Sequence, residues 1–204
     1  MVWKAVVGAR RSAFLLALAA GSLPAAAQRE VAAEGAYLHG PAHAVYPVRV
    51  GAFRRSSVYQ YDQAGKDVSA SYNLTTAKGR LLITVYIYPA VPAPAAARAK
   101  LCDEEFGAVN TAISSQHGDA APLERGAALA VAGADPKLGH RSAYRFPSRF
   151  DDRVQEIRSE VYLYCYVGGD WLVKYRVSAP VAVKPDKPVR NFIRNGPWPG
   201  RTAA

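Results

Sequence analysis

The stretch Val161 to Pro180, VYLYCYVGGDWLVKYRVSAP, constrains this chain more than any other. It reads as two strands closed at Gly168-Gly169-Asp170, where glycine tolerates a positive φ. Side chains alternate along a strand. Val161, Leu163, Cys165 and Val167 therefore share one face of the first arm, and Tyr162, Tyr164 and Tyr166 the other. On the second arm Trp171, Val173, Tyr175 and Val177 oppose Leu172, Lys174, Arg176 and Ser178. A two-residue loop sets Leu163 across from Lys174 and mixes polarity on both faces. A three-residue loop sets Val167 across from Trp171 and Cys165 across from Val173. The longer loop predicts one apolar face and one face of tyrosines beside Lys174 and Arg176, because burial penalises a one-residue slip.

The same sorting recurs upstream. Ser57 to Tyr61 and Val68 to Leu74 read as an antiparallel pair around a turn at residues 62–66. Leu81 to Tyr88 places Leu81, Ile83, Val85 and Ile87 on one side and Leu82, Thr84, Tyr86 and Tyr88 on the other. Pro92 and Pro94 prepare a helix start, and residues 95–116 form the helix. Its stripe is Cys102, Phe106, Val109 and Ile113, at spacings of four, three and four. Leu129 to Val131 reads as a short strand, His140 to Phe146 as a longer one with a turn over Pro147 to Asp152, and Pro188 to Asn195 as a short terminal helix. Strand runs separated by helices give an α+β fold, a single antiparallel sheet of five or more strands with one long and one short helix packed on it. All aliphatic strand faces are expected against the long helix and all tyrosines on the reverse.

The N-terminus reads as a secretory signal peptide. Lys4, Arg10 and Arg11 precede the apolar run Ala13 to Ala20, too short to span a bilayer, and Ala25 to Ala27 supply a small-residue cleavage pattern. Cleavage near Ala27 leaves 177 of the 204 residues. The division expected is a signal peptide at 1–27, an extended lead-in at 28–47, one α+β domain at 48–195 and a C-terminal tail at 196–204. Taking the three leader charges from +10 leaves +7, which favours anionic surfaces or simply solubility. The protein is expected in the periplasm or outside the cell. An envelope protein, a cell-wall polymer or an anionic membrane surface are the partners this setting offers, and nucleic acid is not among them.

At Tyr46 to Pro180 a resemblance enters. The runs YPVRVGAFRR, YDQAGKDVSASY, LLITVYIYPA and YLYCYVGGDWLVKYRVSAP resemble a group of exported bacterial proteins. Their shared pattern is a glycine-containing opening segment, a Tyr-x-Tyr-Pro strand end and a closing hairpin ending in Lys-x-Arg. The element order is similar to the PsbP-like fold, an antiparallel sheet between helices. The resemblance implies accessory and binding roles and transfers no functional residue, since fold does not fix function.

Chemistry is sparse. Export permits a disulfide between Cys102 and Cys165. Two buried free thiols are the alternative, because free Cys behaves as a small hydrophobe. There is no Cys-x-x-Cys, no Gly-x-Ser-x-Gly and no phosphate-cradling glycine loop. His39 and His43 flank Gly40-Pro41, which breaks a helix, and His117 and His140 stand alone, so no metal site or cofactor is expected. Asp103 to Glu105 diverge around the helix axis and read as a solvated face. What remains is the tyrosine face: Tyr86, Tyr88, Tyr162, Tyr164 and Tyr166 with Lys174 and Arg176. It either binds carbohydrate, peptide or protein or packs beneath a second layer. The reading reached is an exported binding or accessory domain without catalysis. The alternatives are a small envelope hydrolase with dispersed residues and an envelope-surface protein held by charge.

Overall fold

The computed structural model describes residues 28–118 and 120–201; the expected signal peptide lies outside them. The fold is α+β, built on a large antiparallel sheet. Its strands in chain order are Arg29–Glu30 (β1), Tyr37–His39 (β2), Ala44–Tyr46 (β3), Arg49–Val50 (β4), Phe53–Gln60 (β5), Val68–Thr76 (β6), Gly79–Pro89 (β7), Glu124–Ala127 (β8), Gly139–Phe150 (β9), Arg153–Val167 (β10) and Trp171–Pro180 (β11). The helices are Ala95–Gln116 (α1) and Asp186–Asn195 (α2). The sheet order is β1-β5-β6-β7-β11-β10-β9-β8, with β4 also on β5 and β2-β3 as a separate hairpin. Two meanders thus meet at the β7–β11 pair, and α1 crosses between them.

The closing hairpin turns through three residues, with Val167 across from Trp171 as expected. The rest of its register differs. A β-bulge between Tyr164 and Val167 sets Tyr164, not Cys165, against Val173 and brings Leu163 across from Lys174. Tyr166 sits at φ +55°, a left-handed conformation uncommon for a bulky residue. One extra residue reverses the facing of everything before it.

That bulge corrects the expected assignment of sides. Val161, Leu163 and Cys165 lie on the α1 face with Lys174 and Arg176, and Leu163 and Cys165 pack with Cys102 and Phe106. Tyr162 and Tyr164 lie on the opposite face with Val85, Ile87, Val173 and Tyr175, under α2 and Trp198. Leu163 and Val85 are therefore on different sides, and Tyr86 is on the side of α1. The mixed polarity is tolerated for two reasons. Tyrosines bury their rings while their hydroxyls find backbone carbonyls: Tyr164 donates to Leu129 O at 3.0 Å and Tyr175 to Pro197 O at 2.9 Å. Lys174 and Arg176 fall at the margin of the helix's footprint.

The helix stripe expected from spacing faces the sheet. Cys102 and Ile113 are buried and Phe106 stacks on His140, ring centroids 5.0 Å apart. Asn110 is also buried, where it accepts a hydrogen bond from Tyr144. Cys102 and Cys165 are bridged, joining α1 to β10.

One region differs from its sequence reading. Leu129 to Val131 is not a strand; the short strand is β8, and β9 runs on to Phe150, so that only Asp151-Asp152 turns, both at positive φ. Residues 28–47 pack closely: β1 pairs with β5, and the β2–β3 hairpin buries His39, Ala44 and Tyr46. The segment after α2 is anchored by Trp198, 1% exposed.

His39 makes this packing acid-sensitive. Its Nε2 lies 2.9 Å from Gly65 O, a carbonyl that can only accept, so Nε2 carries the proton and Nδ1 is left unpartnered. Burial holds its pKa below the usual 6.5. As pH falls through about 6.5, the unfolded chain takes up a proton that the folded chain refuses. Stability is then lost progressively until the lower, folded pKa is reached. The midpoint of thermal unfolding is expected to drop between pH 7 and pH 5, with a smaller drop in His39→Gln. Equal drops in the two proteins would exclude His39 as the cause.

Candidate functional site

The bulge divides the seven residues expected on one tyrosine face. Tyr86, Tyr88, Tyr166, Lys174 and Arg176 are on the α1 side; Tyr162 and Tyr164 belong to the opposite core. Tyr166 is buried, donates to Val91 O at 3.1 Å and lies under the Arg98 guanidinium. Tyr162 is held by Glu160 and Arg141. The expected single surface is thereby reduced to Tyr86, Tyr88, Lys174 and Arg176.

Three of them, Tyr86, Lys174 and Arg176, line a groove. Helix α1 lies over β9 and β10, and where β11 and β7 emerge beside it there is a cavity of about 260 Å³. Tyr86, Lys174, Arg176 and Val161 border it from the sheet, and Glu105, Ala108 and Ala112 from the helix. Alternation on β7 and β11 aims Tyr86, Lys174 and Arg176 at the same side, with Lys174 directly across from Tyr86. The Lys174 Nζ stands 4.5 Å from the Tyr86 ring centre and 5.4 Å from that of Tyr88, within cation–π range.

Desolvation lowers the Lys174 pKa; Glu105 and Asp67 act against it, and Arg176 adds to it. The same burial raises Tyr86 and Asp67. Tyr88 is raised furthest of these, by burial and then by Glu105, whose Oε1 accepts a hydrogen bond from its hydroxyl at 2.7 Å. Arg176 donates to His117 Nε2 at 3.0 Å, which requires that nitrogen to be unprotonated; burial and then Arg176 depress the His117 pKa.

Beyond α1 the sheet face continues over β6 and β5 as a run of hydroxyls. Ser71 Oγ lies 3.0 Å from Thr84 Oγ1, Tyr61 OH lies 3.0 Å from Ser69 Oγ, and the Tyr61 ring leans on Tyr86 with centroids 6.2 Å apart. Sequence reasoning passed over Tyr61, Ser69 and Ser71 and read Glu105 as part of a solvated face, whereas it borders the groove. The signal was present in VSASYN, where Ser69, Ser71 and Asn73 alternate with buried Val68, Ala70 and Tyr72.

A second ionic cluster is self-contained. Glu124 and Glu160 each bind both Arg141 and Arg158, at 2.6 to 3.2 Å. Two carboxylates neutralise two guanidiniums there, and β8 is tied to β9 and β10. Among the described residues no group of three or more His, Cys, Asp or Glu could hold a metal ion, and no helix is long and apolar enough to cross a membrane. The disulfide is compatible with a secreted or periplasmic protein. Comparison with family models, with curated proteins and with solved structures gave no match.

Proposed function

We propose that this protein is an exported binding or accessory domain of the bacterial envelope, without catalysis, and that the groove between α1, β7 and β11 is its ligand site. The observation carrying this reading is the position of Lys174 and Arg176. Both are half-buried, Lys174 beside the Tyr86 ring and Arg176 against His117, and the ion pairs of the described residues include neither. The signal-peptide pattern, the net charge left after its removal and the PsbP-like order of elements support the same conclusion. Immobilised protein is expected to retain a component of an envelope extract that Tyr86→Ala fails to retain. Equal retention by both proteins would remove the groove from consideration.

A small envelope hydrolase is the second reading. It is favoured by the gathering of shifted groups, Lys174, Asp67 and His117, around one groove. Against it, Tyr86 and Tyr88 are shifted upward, away from activation as bases or nucleophiles. Turnover of an envelope ester or glycan, lost in Lys174→Gln, would decide for the enzyme.

A further inference from the structure

We infer that the groove binds an acidic saccharide, its carboxylate seated on Lys174 and Arg176 and its sugar rings laid across Tyr86 toward the hydroxyls of β6. This deepens the binding reading above and rests on it.

The first ground is charge. Among the described residues the partly buried Arg80, Arg141 and Arg158 are each paired with a carboxylate at 2.6 to 3.2 Å, and Arg55 on β5 donates to backbone carbonyls of Ala33, Gly35 and Tyr46. Lys174, on the same sheet, has neither an ion pair nor a side-chain hydrogen-bond partner among the described residues, and Arg176 has no carboxylate. Two nearby carboxylates could have served. Glu105 accepts instead from Tyr88 OH, and Asp67 stands among the residues that influence Lys174 without contacting it. The only side-chain partner of Arg176 among the described residues is the neutral His117 nitrogen. A desolvated cation without a direct ion pair is costly. An incoming anion offsets that cost with charge-assisted hydrogen bonds.

The second ground is the surface next to the cations. The helix wall of the cavity is apolar, formed by Ala108, Val109, Ala112 and Ile113. Outside the cavity the sheet face presents hydroxyls of Ser71, Thr84 and Tyr61 beside the partly buried Tyr86 ring, with Thr84 directly across from Arg176 and Ser71 across from Thr84. Alternating hydroxyl partners and a ring to stack on match the polar edge and apolar face of a pyranose. The cavity at about 260 Å³ lies below the usual range for drug-sized ligands. It therefore seats one acidic ring. The open face from β11 to β5 crosses three strand spacings, or about 14 Å, which accommodates one or two further sugars.

Calorimetry on the oxidised, full-length mature protein tests this with three probes: trigalacturonate, its fully methyl-esterified counterpart, and inorganic phosphate. Trigalacturonate is expected to bind, with the ester and phosphate each at least tenfold weaker. Lys174→Gln is expected to weaken trigalacturonate at least tenfold, Lys174→Arg by only a few-fold, and Lys100→Gln, on the exposed outer face of α1, not at all. Unchanged thermal midpoints would show that the variants remain folded. Equal binding of acid and ester, lost in Tyr86→Ala, would overturn the acidic specificity and leave the groove as the binding site. Phosphate binding as tightly as trigalacturonate would overturn the saccharide assignment. No trigalacturonate binding at millimolar concentration would overturn the inference. The groove itself would then stand or fall by the envelope-retention experiment with Tyr86→Ala.

Discussion

Replacing both Cys102 and Cys165 by alanine is expected to lower the unfolding free energy by about 4 kcal/mol. The bridge closes a loop of 63 residues that spans α1, β8, β9 and most of β10. In the chain-entropy account, a cross-link of that length removes about 4 kcal/mol of freedom from the unfolded chain. With a urea dependence of ~2 kcal/mol per molar, the midpoint moves down by about 2 M. Adding a reductant to the wild type at the unfolding midpoint should reproduce most of that shift. The sulfurs join elements otherwise held by few side chains, since α1 presents only Cys102, Asn110 and Ile113 as fully buried residues. The groove bordered by Glu105 and Lys174 depends on that attachment, so the loss should extend to ligand retention. A midpoint shift below about 0.5 M, or two free thiols in protein recovered from its native compartment, would sink this expectation.

Trp198→Ala is expected to cost about 3–5 kcal/mol, the range for deleting a large buried aromatic side chain. Trp198 meets Tyr164 edge-on at 4.9 Å, packs 5.6 Å from Tyr175 and donates through Nε1 to Ile193 O at 2.7 Å. The backbone around it is tied down as well. Pro197 O accepts from Tyr175, Gly200 N donates to Ala42 O at 3.0 Å, and Arg201 reaches Ala132 O. Ending the chain at Asn195 should therefore destabilise at least as much as the point substitution, whereas Trp198→Phe should retain most of the packing. Chemical denaturation of the three variants separates these cases, and a cost under 1 kcal/mol for Trp198→Ala would show that the terminal segment is dispensable.

Alternation and helical spacing determined much of this protein before any coordinate was known. Leu81, Ile83, Val85 and Ile87 are all fully buried because a strand in mid-sheet has no other way to place its apolar set. The start of α1 follows from the prolines before it, and α2 forms where a short terminal helix was expected, burying Val189, Phe192 and Ile193. Tertiary structure decided what period-two reading cannot register. An inserted bulge residue, Tyr166, leaves composition and alternation untouched yet reverses the pairing across the hairpin: Leu163 and Tyr164 keep the sides expected relative to α1, while Val85 and Val173 turn away from the helix and Tyr86, Lys174 and Arg176 turn toward it. The partition of the tyrosines, and hence which of them flank Lys174, follows from that one backbone conformation. The lead-in and the terminal segment carried no period because each contributes single large side chains, Tyr46 and Trp198, to a core built by distant strands. Pairing of Cys102 with Cys165 was likewise open in the sequence and was settled by the helix laying its stripe across β10, since two thiols bridge only when the fold brings them within reach.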